Sequence, residues 1–132
     1  MRALAAFCCV LIGSTAGAQE RTGVTAVPRH SFDDPSMPGK EFRLLQTTYA
    51  PSGQNPMHRH TSHVVFYVLE GSGIWQEEGK PAATLRPGES LHVRPGTVHA
   101  HRNASTTDKL VFLEFVIADK DQPSTVPINL RR

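Results

Sequence analysis

PSGQNPMHRHTSHVVFYVLEG, residues 51–71, runs from a proline–glycine cluster through three histidines into a block of strand-forming residues. The block decides the fold class. Val64 to Leu69 is apolar at six consecutive positions, rich in β-branched and aromatic types, and is closed by Gly71-Ser72-Gly73. Such a run is short for a helix and reads as a strand buried on both faces. Ahead of it stand His58 and His60, two residues apart, which share one face of any regular strand. His63 breaks that parity, because Val64 and not His63 continues the face of His58 and His60. It would join them only if the chain bulged at Thr61-Ser62.

Downstream the same rhythm repeats. GIWQEE, AATLR, SLHVR and VHAHRN are short alternating runs, separated by Glu78-Gly79-Lys80-Pro81, PGE and PGT turns. LVFLEFVIA, residues 110–118, is the last strong strand. Upstream, EFRLLQTTYA from Glu41 alternates apolar and polar positions, and PSGQNP reads as the turn after it. No stretch has helical periodicity with caps, so little or no helix is expected outside the N-terminal leader. Many short strands with Pro/Gly turns point to an all-β sandwich or barrel over residues 41–118. Residues 19–40 read as an extended arm with one short strand around Val24–Val27, with His30 in a solvated loop. Residues 119–132 read as a polar, proline-spaced tail that wraps an edge or lies loose.

The first eighteen residues have the form of a secretory signal. Arg2 provides the positive start, Ala3–Ile12 the apolar core and Ala16-Gly17-Ala18 the cleavage site. The apolar run falls short of the roughly 20 residues that span a bilayer, so no membrane anchor is expected. Export to the periplasm or outside the cell is expected, with a mature chain starting at Gln19. Both cysteines, Cys8 and Cys9, leave with the leader, so any metal would be held by nitrogen and oxygen. The formal net charge of +2 includes Arg2, and no basic cluster suggests nucleic acid. The length fits one small domain, able to bury a core if compact or dimeric.

Six of the seven histidines lie between residues 58 and 101. They include two H-x-H pairs, His58/His60 and His99/His101, each able to aim two imidazoles at one point from a strand. Two such strands brought together would surround one divalent metal ion. Neutral imidazole suits zinc, iron, copper and nickel, with manganese possible where oxygen ligands assist. His92 alternates with Leu91 and Val93 and is expected on the surface.

These stretches carry a family resemblance. PSGQNPMHRHTSHVVFYVLEG resembles the first signature of the cupins, and PGESLHVRPGTVHAHRN, residues 87–103, resembles the second. The likeness spans roughly residues 41–118 and implies a double-stranded β-helix, a jelly-roll barrel with the metal inside. It implies metal ligation by His58, His60 and His99. Gly71 matches the closing glycine of the first signature, while Gly88, Pro95, Gly96 and Asn103 match the frame of the second. Arg94 stands where a proline is common. The departure is the family's ligand glutamate, whose place falls on Val64.

Three neutral imidazoles leave a divalent ion its full charge, which favours anionic or chelating ligands and lowers the pKa of bound water further. Among cupins such glutamate-free sites occur in iron-dependent dioxygenases and in proteins of no known chemistry. The expected function is therefore a metal-dependent, quercetin-dioxygenase-like enzyme acting on a small anionic or phenolic substrate. The alternatives are a metal-dependent isomerase or lyase, and a non-catalytic module that binds a small ligand or metal. His101 is the candidate catalytic residue, as a general base or a hydrogen-bond donor to a bound anion, with a fourth-ligand role open. His63 is expected at the rim or in support of the ligands. Phe66, Val68, Phe112 and Phe115 are expected in the core or pocket wall. Glu70 and Glu114 are expected to pair with Arg or Lys, away from the ligand positions. Trp75, Tyr67, Val65 and Leu69 could form a homodimer interface.

Overall fold

A computed structural model describes residues 21–128; the leader with Cys8 and Cys9 lies outside them. Nine strands run in chain order: β1 (Thr22–Asp33), β2 (Lys40–His60), β3 (His63–Glu70), β4 (Gly73–Glu77), β5 (Ala83–Leu85), β6 (Ser90–Val93), β7 (Val98–Asn103), β8 (Leu110–Asp119) and β9 (Thr125–Pro127). They pair antiparallel in the order β5-β4-β7-β2-β8-β3-β6, with β1 and β9 also on β2. The sheet curls into a nearly closed jelly-roll barrel, so the all-β, double-stranded β-helix expectation holds. Among the described residues no helix is long and apolar enough to cross a membrane.

Strand β2 organises the barrel. Its first half, Lys40–Tyr49, pairs with β8, and its second half, Gln54–Arg59, pairs with β7. PSGQNP, expected as a turn, is instead the corner at which one strand passes from pairing with β8 to pairing with β7. Ser52 there has φ 59°, and the β7 register slips between Asn55 and His58, a bulge of the kind that re-aims side chains.

The arm also differs from expectation. β1 runs twelve residues, antiparallel to β2 from Thr22 opposite Gln54 to Asp33 opposite Glu41. Its side chains are nearly all exposed, so backbone pairing and not burial makes it a strand, which hydrophobic periodicity cannot reveal. His30 lies on this strand, still exposed, near the Phe32 ring.

The interior follows strand parity. Val64, Phe66 and Val68 from β3 meet Leu110, Phe112, Val116 and Ala118 from β8, with Thr47 and Tyr49 from β2 and Trp75 from β4. Burying one large apolar side chain stabilises by about 1.5–3 kcal/mol, so this cluster carries much of the fold. The outer face of β3 is open, which corrects the reading of a strand buried on both sides. Val65, Tyr67 and Leu69 are 39%, 44% and 44% exposed, with Phe115 beside them at 40%. Phe115 is thus not a core residue of the single chain.

Two framework residues act as the signatures imply. Gly71 has φ 76°, and a Cβ there would collide with the Lys109 carbonyl oxygen. Asn103 is buried and donates to the carbonyls of Ala50 (3.1 Å) and Asp108 (2.7 Å), while accepting from the Ser105 amide (3.0 Å). It ties β7 to the corner of β2.

Candidate metal centre

His58 and His60 project inward from the last residues of β2, and His99 from β7, where it stands opposite His58. All three are at most 3% exposed. One ligand nitrogen from each lies within 4.8 Å of the others. The structure therefore brings together the three expected ligands.

Their tautomers follow from their partners. His58 Nδ1–H donates to the Pro56 carbonyl (2.7 Å), His60 Nδ1–H to the Ser124 carbonyl (3.1 Å) and His99 Nδ1–H to the Thr97 carbonyl (3.2 Å). A carbonyl only accepts, so each Nδ1 carries the proton and each Nε2 presents a lone pair. Those three Nε2 atoms are buried with no hydrogen-bond partner. Buried polar atoms normally find one, and here three converge with none. The donor set fits a borderline divalent ion, and the backbone carbonyls supply the outer support that orients metal-binding imidazoles.

Electrostatics agree. Burial pushes His58 down to about 4 and His60 down to about 3, with neighbouring imidazoles adding to both shifts. Burial also lowers His99, against its bond to Thr97 and the charge of Glu77. The cluster is neutral at physiological pH, the state a cation requires.

His101 shares the inward face and is 4% exposed. Its Nδ1 lies 2.7 Å from the Tyr49 hydroxyl, and its ring stacks on Trp75 at 5.7 Å. Burial holds it well below its ordinary pKa, with His58, His99 and His60 contributing. Its Nε2 is also buried without a partner, yet the convergent group is His58, His60 and His99. Tyr49, whose phenol is raised by burial, was missed in the sequence. An inward tyrosine at the end of EFRLLQTTYA was available from parity, but nothing in the linear sequence links it to His101.

His63 faces outward, exposed, and its Nδ1 lies 2.9 Å from His92 Nε2. It does not touch the inner cluster; Thr61-Ser62 forms the bend that separates β2 from β3 and leaves alternation intact. Val64 is wholly buried in the apolar core, opposite Val93 and Val116, so no carboxylate approaches from that position.

A carboxyl group enters the barrel elsewhere. Glu114 lies opposite Phe66 and Leu45, on the β8 face that carries Phe112 and Val116. It accepts from the Thr47 hydroxyl at 2.5 Å, and burial raises its pKa. The expected Arg or Lys ion pair is not among those of the described residues, whereas Glu70 does pair with Lys109 at 3.2 Å. The tail contributes too: β9 lies against His58–His60 and brings the Ser124 carbonyl to His60.

A pocket of about 220 Å³ opens between the β4–β5 hairpin and β6. Trp75, Leu91, Val93 and Ala83 make it mainly apolar, His99 closes its inner end, and Glu77 and Lys80 form an ion pair at 2.7 Å beside it. Its size suits a small molecule, below the roughly 300–1,000 Å³ common for drug-sized ligands.

Comparison with known proteins is consistent with this architecture. The family model for the cupin domain matches residues 45–116. Auxin-binding protein 1 of Arabidopsis thaliana is 30% identical over 82 residues, which cover 56% of this chain and 41% of that protein. The chain thus spans about two fifths of that curated relative. A cupin-like protein from Thermotoga maritima superposes with a TM-score of 0.59 at 25% identity, covering 70% of this chain and 67% of its own. The polyketide cyclase RemF from Streptomyces resistomycificus superposes with a TM-score of 0.66 at 21% identity, covering 84% and 75%; at that identity the likeness is one of fold.

Proposed function

The chain belongs to the cupin family, and we propose that it is an exported metal-dependent enzyme that takes a small ligand at its barrel. The observation that carries this reading is the convergence of three buried, unpartnered Nε2 atoms beside an apolar pocket. One divalent ion held by His58, His60 and His99 would act as a Lewis acid on the oxygen atoms of a substrate.

The chain's own residues supply the rest. Trp75, Leu91 and Val93 line the pocket, bind the substrate's apolar body and keep water away. His101 stands beside the cluster with Tyr49 on its Nδ1, so a proton can be held or exchanged at His101 Nε2 while the phenol compensates at the other nitrogen. Phe66 and Phe112 pack around this pair and fix its orientation.

The first reading is the dioxygenase-like one, with a small anionic or phenolic substrate that places two oxygen atoms at the three-histidine centre. The Tyr49–His101 hydrogen bond favours a second reading, a metal-dependent isomerase or lyase that moves a proton without consuming oxygen. The resemblance to an auxin-binding protein supports a small-molecule ligand under either.

Oxygen uptake separates the two. Tag-free protein loaded with iron, copper or manganese is tested with a panel of diols and phenols in an oxygen electrode. The dioxygenase reading expects substrate-dependent uptake that His99→Ala abolishes. Turnover without uptake, reduced about 10²–10⁴-fold by Tyr49→Phe, supports the proton-transfer reading. No turnover of any panel member, with zinc as the resident metal, counts heavily against the dioxygenase.

A homodimer is proposed as well, in which a second copy covers the exposed row of Val65, Tyr67, Leu69 and Phe115, an apolar patch that needs cover. Sedimentation equilibrium should give twice the chain mass, and Tyr67→Glu should return it to one chain; a wild-type monomer at micromolar concentration contradicts the proposal.

A further inference from the structure

The outer wall of the barrel carries a second pair of histidines that the inner centre does not use. His63 at the start of β3 and His92 on β6 are both exposed. Their facing nitrogens, His63 Nδ1 and His92 Nε2, are 2.9 Å apart, and the rings lie at 17° with centroids 5.1 Å apart. The contact is an N–H···N bond between imidazoles, so one ring keeps a lone pair and the other a proton aimed at it. Among the described residues neither ring has a carboxylate partner.

That spacing is also the spacing of two ligands on one ion. With metal–nitrogen bonds of about 2.0–2.1 Å, neighbouring ligands at a right angle lie about 2.9 Å apart, and at a tetrahedral angle about 3.4 Å. We propose that His63 and His92 form a second metal site, outside the barrel, that chelates a borderline divalent ion such as zinc, copper or nickel through two imidazole nitrogens. On binding, the ring whose N–H makes that bond moves its proton to its other nitrogen, and the ion takes both freed lone pairs from a point off the N···N line, with water completing its coordination.

The surroundings set its selectivity. Arg94, just past the end of β6, is exposed as well, and neither ring has a carboxylate partner among the described residues, so selectivity rests on the nitrogen donors. It takes ions that bond well to nitrogen and rejects magnesium and calcium, which require oxygen. His92 also borders the pocket that ends at His99. The outer pair therefore borders the mouth of that pocket, with its facing nitrogens on the exposed side of the barrel.

The test uses full-length, tag-free protein in its native assembly, stripped with a chelator and titrated with nickel or zinc alone by calorimetry. Wild type should take up two equivalents, one tight and one weaker. His63→Ala and His92→Ala, both surface changes, should weaken the second class by at least about tenfold and leave the first intact. His58→Ala should do the reverse, and His30→Ala should change neither. Uptake of a single equivalent by wild type overturns the proposal. So does a weaker class that persists unchanged in both His63→Ala and His92→Ala.

Discussion

His58→Ala and His99→Ala should each abolish binding of one metal equivalent to the barrel interior while leaving the metal-free protein folded. Removing a group that merely orients a metal-binding residue costs about 10–100-fold in affinity. Removing one of three imidazoles from a site with no carboxylate should therefore cost more than about 100-fold. The stability half of the result follows from the orphaned nitrogens. Each Nε2 is buried without a partner, a state that costs the metal-free fold about 1–3 kcal/mol per group. Alanine relieves that cost while leaving a cavity, so the urea midpoint of the metal-free variant should stay near that of wild type. Metal analysis after gel filtration reads the first quantity and urea unfolding the second. Metal content unchanged in both variants removes the site assignment.

A second large effect concerns acid. In the metal-free protein burial lowers all four inward histidines, His58 from 6.5 to about 4 and His60 from 6.5 to about 3. The unfolded chain binds protons at these rings once pH falls below about 6.5, and the folded chain does not. Their contribution is thus intact above pH 6.5 and declines as pH falls from there toward the folded values. One pKa unit corresponds to about 1.4 kcal/mol, so across its own window His58 forfeits on the order of 3 kcal/mol and His60 somewhat more. Against a domain stability of about 5–15 kcal/mol, the metal-free protein should unfold near pH 4–5. The single tryptophan, Trp75, is 2% exposed and reports unfolding by fluorescence. The urea midpoint should fall by more than half between pH 7 and pH 5; an unchanged midpoint contradicts the burial of the neutral cluster.

Much of this barrel is legible in the chain because alternation does the encoding. The six-residue apolar run, the H-x-H pairs and the Pro/Gly turns each specify a face or a corner locally. Parity turned His63 away from the face of His58 and His60 and put Val64 on it, and in the structure His63 is exposed while Val64 is wholly buried. The same rule applied to 112, 114, 116 and 118 would have turned Glu114 inward; its charge invited pairing with an Arg or Lys instead. Other features are not local. β1 is a strand because it pairs with β2, although its side chains are exposed. PSGQNP has the composition of a turn, yet the flanking strands pull it into one continuous strand with a bulge. The Tyr49–His101 bond and the Ser124 carbonyl at His60 join residues 52 and 64 positions apart, and no short-range pattern encodes them. The open outer face of Val65, Tyr67 and Leu69 shows the opposite limit: an apolar run specifies that burial is favourable, not that the same chain provides it.

The central claim is a metal centre of three imidazoles with no protein carboxylate. X-ray absorption at the metal edge tests it most directly, on tag-free protein loaded with one equivalent so that the tight site alone is filled. The expected spectrum shows three imidazole nitrogens at about 2.0–2.2 Å, with water oxygens as the remaining neighbours, and His99→Ala reduces the imidazole count. A spectrum with a single imidazole, or one whose imidazole count is unchanged in His99→Ala, would contradict it.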